Sequence, residues 1–239
     1  MYLSDPLCAA LDRISERAAD VRRAFAPGAQ PSFGDVASPE PGASSFTLDP
    51  LCAAPPGGAY FAVATARGTA YTRDGRFALR GDRLVDERGD AVLGTRARGD
   101  ALAPLRIDPV DAALGRALDP RVEADGTLSY SRVAIDPRTG ARERQRVVAG
   151  RLALARFPPG TRLQGDGVVL QPPEGVVAHT GAPADGSFAP LLPMHAARSG
   201  VDLDASLARL KDAYVAFDAL QAAESAKGRT GKTAMELLK

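Results

Sequence analysis

Gly228-Arg-Thr-Gly-Lys-Thr233 is the stretch closest to a chemical motif, because Gly-Lys-Thr closes the phosphate-binding loop of nucleotide hydrolases. That loop holds phosphate oxygens on backbone N–H groups at a strand-to-helix turn. Here Ala226 stands where its first glycine belongs, and a helix is predicted where the strand must precede, so nucleotide binding is not expected. His179 and His195 have no cysteine or carboxylate at relay or metal-ligand spacing, and acid–base work needs a partner that orients the ring. Ser44-Ser45 and Ser187 lack the Gly-x-Ser-x-Gly elbow or another activating feature. The carboxylate pairs Asp86-Glu87 and Asp108/Asp111 lie beside turns and arginines, where solvated turn residues are the default. With 5% aromatics and no Trp, a sugar-stacking cleft has no building material. No catalytic, cofactor-binding or metal-ligating residue is therefore expected, and the chain reads as a non-enzyme.

Two cysteines, Cys8 and Cys52, cannot make a disulfide framework. Two unpaired, buried thiols are the simpler expectation, and a single bridge would need an oxidising compartment. Thirty basic against 29 acidic residues leave a net charge of +1, and the arginines are interleaved with acids, so no nucleic-acid partner is expected. Asp5 and Asp12 fall where a cleaved signal needs an apolar core, and no long apolar run predicts direct membrane insertion.

The elements that must position these residues are marked at both ends of the chain. Ser4 or Asp5 as cap, Pro6 at the first helical position and Pro27-Gly28 as stop predict a helix over 5–26. Along it Leu7, Leu11, Ile14, Ala18, Val21 and Phe25 are spaced 4, 3, 4, 3, 4, which is either a coiled-coil seam or the buried face of a globular helix. After Asp202, a good N-cap, Leu203, Leu207, Leu210, Tyr214 and Phe217 repeat the spacing on a helix predicted over 203–226. Gly228 and Gly231 then predict fraying or a kink. The expected assembly interface is Leu7, Leu11, Ile14, Val21 and Phe25 with Leu203, Leu207, Leu210, Tyr214 and Phe217.

Between the helices, residues 28–57 are rich in Pro, Gly, Ser and Ala without a basic residue, which predicts a linker with little regular structure. Short β-competent runs follow, from Tyr60 to Thr65, through Thr69–Thr72 and Arg83–Val85, to Val168–Gln171, with turns at Asp74-Gly75, Gly81-Asp82 and Arg88-Gly89-Asp90. The predicted fold is mainly β: an N-terminal assembly helix in 1–27, the linker 28–57, an antiparallel β domain in 58–200, and a C-terminal assembly helix in 201–239 pairing coiled-coil-like with the first. Phe61, Val63, Tyr71, Phe77, Leu79, Val85 and Leu93 are the expected core.

A Phe61-Ala-Val strand, Tyr71-Thr-Arg-Asp-Gly-Arg-Phe77, and Leu84-Val-Asp-Glu-Arg-Gly-Asp-Ala-Val-Leu-Gly94 occur in an order that resembles the bacterial flagellar basal-body rod and hook protein family. Val122-Glu-Ala-Asp-Gly-Thr-Leu-Ser, Gly150-Arg-Leu-Ala-Leu-Ala-Arg-Phe157 and Ser199-Gly-Val-Asp202 extend the resemblance over about residues 58–239. The first helix lacks the family's Asn-Asn-x-Ala-Asn run and gives Ala18-Ala-Asp-Val-Arg-Arg-Ala-Phe25 instead. The resemblance implies a structural protein of proximal or distal rod type, without catalysis or cofactor. It would be exported through the flagellar export apparatus without a cleaved signal, and would assemble with copies of itself and other rod or hook proteins in the periplasm-spanning rod. The alternative is a stand-alone β-domain binding module that oligomerises through its terminal helices.

Overall fold

The computed structural model describes residues 6–29, 44–96, 101–108, 110–111, 115–135, 138 and 140–237. The chain divides into a helical unit, Met1–Phe25 with Val201–Lys239, and a β unit, Ala26–Gly200.

In the helical unit, α1 (Pro6–Arg23) and α2 (Leu203–Leu237) contact each other. Pro6 opens α1, where its missing N–H is no loss. The expected caps at Ser4 and Asp5 lie outside the described residues. At α2 the Asp202 carboxylate accepts the Ala205 N–H at 3.1 Å, and the Asp202 carbonyl takes the first helical bond, from Ser206, at 3.0 Å. The helix then runs on through Gly228 and Gly231 to Leu237, well past the end expected at residue 226. Each glycine costs only about 1 kcal/mol against alanine, which a long cooperative helix absorbs.

The β unit is built on a large antiparallel sheet, 13-stranded among the described residues. Its main path runs Leu118–Val122, Thr127–Ile135, Arg142–Leu152, Ala91–Thr95, Tyr60–Thr65, Gly68–Thr72, Val169–Gln171 and Gln164–Gly165. Strand Tyr60–Thr65 is buried on both faces because period-2 alternation sends its residues to two cores. Phe61 and Val63 join Phe77, Leu84, Val92, Leu128, Leu152 and Leu154 on one side. Tyr60 and Ala62 join Tyr71, Leu93, Ala155 and Leu170 on the other. Each fully buried Phe or Leu contributes roughly 2–3 kcal/mol of apolar transfer. Six of the seven expected core residues are buried, and Leu79 is half-buried.

The loops at Gly81-Asp82 and Arg88-Gly89-Asp90 join paired strands as expected, with Arg80 opposite Arg83 and Val85 opposite Ala91, and another hairpin loop falls at Ala66-Arg67, where Thr65 pairs with Gly68. Two expectations change. Asp74-Gly75 is not a hairpin turn: the strands on either side of it, Gly68–Thr72 and Ala78–Arg80, have other partners. Gly75 serves close approach instead, since a Cβ there would stand 1.7 Å from the Ala53 carbonyl oxygen. Residues 44–57, read as linker, belong to the β unit: Ser44–Phe46 pairs with His195–Ala197, Ala53–Ala54 pairs with Leu192–Pro193, and Leu51 and Cys52 are buried. Residues 30–43 of that stretch lie outside the described residues.

The two chain ends of the β unit are zipped together. Gly28 N–H donates to the Ala197 carbonyl at 3.0 Å and Gly200 N–H to the Ala29 carbonyl at 2.9 Å. Gly28 is required there, because its φ is +67° and a Cβ would lie 2.6 Å from the Arg73 and Asp74 backbone. The β unit is thus a closed insertion between two helices.

Candidate functional site

On each helix of the pair the apolar face is wider than the buried line. The heptad rows Leu7/Ile14/Val21 and Leu203/Leu210/Phe217 are buried or half-buried, as the seam predicts. In the rows beside them the large residues are exposed, Leu11 at 50%, Phe25 73%, Leu207 45% and Tyr214 50%, and only the small Ala18 is half-buried. The buried line is completed from the opposite side, by Ala10 and Arg17 on α1, with Ala24 in the turn just after it, and by Ser206, Ala213 and Leu220 on α2.

The geometry of the α-helix explains the split. From any seam residue, position i+3 lies about 60° to one side and i+4 about 40° to the other, so a 3-4 and a 4-3 reading share one row and differ in the second. Small residues at Ala10, Ser206 and Ala213 occupy the i+3 side, which allows close helix approach. The large residues Leu11, Leu207 and Tyr214, with Val215 at 60% exposure, are left outside as an apolar stripe. Lys211, also exposed, lies within that stripe on α2.

One charged group on α1 is buried. Asp20 is 2% exposed, with Arg23 Nη1 3.0 Å from one carboxylate oxygen and Arg17 Nη1 3.9 Å from the other. The two arginines sit three residues either side, so all three charges share one face and the aliphatic stem of Arg17 covers part of the buried line. Sequence reasoning missed this triad because Arg13, Glu16 and Arg17, the residues seven, four and three before Asp20, mark its side of the helix as the solvated one.

The residues weighed for catalysis take structural places. His195 Nδ1 lies 2.8 Å from the Pro193 carbonyl oxygen, which makes it the protonated nitrogen, and the ring meets Phe46 edge-on at 5.6 Å. His179 stacks on Phe188 with centroids 5.8 Å apart. Cys8 and Cys52 are both free; Cys52 is buried as expected, whereas Cys8 is exposed. Burial pushes the Cys52 thiol above its usual range, away from reactivity. Asp86 accepts the N–H groups of Arg88 and Asp90 at 3.0 and 2.8 Å and so organises its own turn, while burial raises its pKa. The Asp108 carbonyl accepts Arg132 Nη2 at 2.6 Å. The side chain of Asp111 lies outside the described residues. Gly228–Thr233 is helical, so its N–H groups serve the helix and form no phosphate cradle. Among the described residues no group of His, Cys, Asp or Glu is placed to hold a metal ion.

The Tyr71–Phe77 motif is a buried polar knot. Arg73, 3% exposed, donates through Nη1 to the Gly57 and Ala59 carbonyls at 2.6 and 2.8 Å. Asp74 is held by Arg76 through Nε at 3.0 Å and Nη2 at 2.9 Å, and Phe77 meets Phe61 edge-on at 5.0 Å. Arg73, Asp74 and Phe77 thus hold strand and loop backbone together. Among the described residues no helix is long and apolar enough to cross a membrane. Searches against protein-family models and curated proteins match nothing to this chain.

Proposed function

We propose that this chain is a structural assembly protein of the bacterial flagellar basal-body rod, joining copies of itself and other rod or hook proteins through its terminal helices. The observation that carries the reading is the apolar stripe Leu11, Phe25, Leu207, Tyr214 and Val215, exposed beside an already formed helix pair. Exposed apolar rows next to a buried seam are surface awaiting further helices, and an enzyme or single-ligand module has no use for them. The order of the Tyr71–Phe77, Leu84–Gly94 and Gly150–Phe157 motifs supports the rod family among assembly proteins. In this reading the chain passes through the flagellar export apparatus without a cleaved signal and performs no catalysis. The test is isolation of basal bodies from the source bacterium carrying a tagged copy. The tag is expected to co-purify with the rod, and a tag found only outside basal bodies refutes the proposal.

A further inference from the structure

Arg142–Leu152 is the longest strand of the sheet, and for most of its length it is paired on one side only. Thr127–Ile135 runs along one edge of it from Arg142 to Arg151. On the other edge only Arg151 and Leu152 meet a strand, at Thr95 and Gly94. Among the described residues no strand borders residues 142–149 on that second edge. The segment holds no proline, and Arg142 to Arg146 are exposed. A long edge of open N–H and C=O groups is a template for another extended chain, which is why edge strands are commonly kept short or broken by proline.

The side chains select the chain that fits. Alternation puts Arg142, Arg144 and Arg146 on one face, about 6.8 Å apart. Opposite them the paired strand offers Ile135, Val133 and Ser131, so no carboxylate faces them from that neighbour. Arg144 and Arg146 reach past it to Asp119 at 3.1 Å and Glu123 at 2.6 Å, each through one terminal nitrogen. Both arginines are more than half exposed, where such pairs are weak. Arg142 carries no ion pair among the described residues. Residues 128–150 hold five arginines against two acids, an excess of three positive charges in a chain whose total is +1. Two copies pairing edge to edge would set arginine against arginine, which cross-strand repulsion penalises. A single-stranded nucleic acid would bring anions but leave the peptide groups of the edge unpaired, and no aromatic residue stands among the arginines for bases to stack on.

We propose that the edge of residues 142–149 takes an extended acidic peptide segment of another protein as an added strand, with carboxylates at alternate positions facing Arg142, Arg144 and Arg146. The contact lies within the β unit and does not rest on the rod reading. The probe is a fluorescein-labelled short peptide of alternating Glu and Val, titrated with the full chain at low salt and read by fluorescence anisotropy, with circular dichroism confirming that each variant folds. The peptide is expected to bind, and amide protons of alternate residues in 142–149 to exchange more slowly in the complex. Its Kd should rise at least about tenfold in Arg142→Glu and in Arg144→Glu. It should stay unmoved in Arg67→Glu, the same change of charge on a hairpin loop elsewhere in the sheet. The same peptide N-methylated throughout keeps its carboxylates and loses its N–H donors, and it should bind at least about tenfold more weakly than the parent. Absence of binding overturns the proposal, as does equal binding of the N-methylated peptide, which would mean charge attraction alone. Tighter binding of a short oligothymidylate overturns it in favour of nucleic acid. Slowed exchange at these amides in the protein alone, growing with its concentration, overturns it in favour of a second copy.

Discussion

Arg73 and Asp74 are adjacent, oppositely charged and buried, yet they do not pair with each other: Arg73 serves two carbonyls and Asp74 serves Arg76. This is why Asp74-Gly75 misleads as a sequence signal. Asp-Gly favours a tight turn where two strands await joining, but here the carboxylate and the missing Cβ are spent on Arg76 and on the Ala53 carbonyl. Phe77, by contrast, follows directly from alternation, and it is 2% exposed. Phe77→Ala is expected to cost about 3–5 kcal/mol, measured by denaturant unfolding. Asp185 gives a test by pH. Its carboxylate accepts the N–H groups of Ala182, Ser187 and Phe188 at 2.7, 2.8 and 3.1 Å, and these bonds lower its pKa. A depressed carboxylate pKa contributes stability that is present above the unfolded value and disappears as pH falls through the folded one. Asp185→Asn should therefore lower the melting temperature at neutral pH, with the gap to wild type closing in acid below the carboxylate range.

At the scale of elements, both helices and most central strands are legible, because heptad rows, period-2 alternation and Gly-containing turns act locally. Less legible are short strands such as Ser44–Phe46 and His195–Ala197, whose existence depends on a partner some 150 residues away. The line along which the two helices bury side chains is legible by half. Hydrophobicity selects Leu11, Leu207 and Tyr214 as seam residues, whereas the buried line takes Ala10, Ser206 and Ala213, whose value is their small size. Propensity also overstates the break at Gly228 and Gly231, since it prices each residue alone while the helix is cooperative. Replacing both glycines with alanine is expected to add about 2 kcal/mol of helix stability, read as a higher thermal midpoint of the helical signal at 222 nm. An unchanged midpoint would mean that this end of α2 does not melt with the rest.

At the scale of the molecule, the helix pair has one buried line and one exposed apolar stripe, and in the rod reading these serve pairing and assembly separately. Leu210 is half-buried, so a charge there would disturb the helix pair itself. Leu207 is 45% exposed, so a charge there is expected to leave the pair intact and to change only the exposed stripe. In the rod reading the exposed stripes, rather than a catalytic or nucleotide site, carry the function. The most direct measurement compares incorporation of Leu207→Asp and Lys232→Ala into basal-body rods, with circular dichroism confirming that both proteins fold. Leu207→Asp is expected to be excluded while Lys232→Ala is incorporated like wild type. Normal incorporation of Leu207→Asp, with function lost in Lys232→Ala, would contradict it.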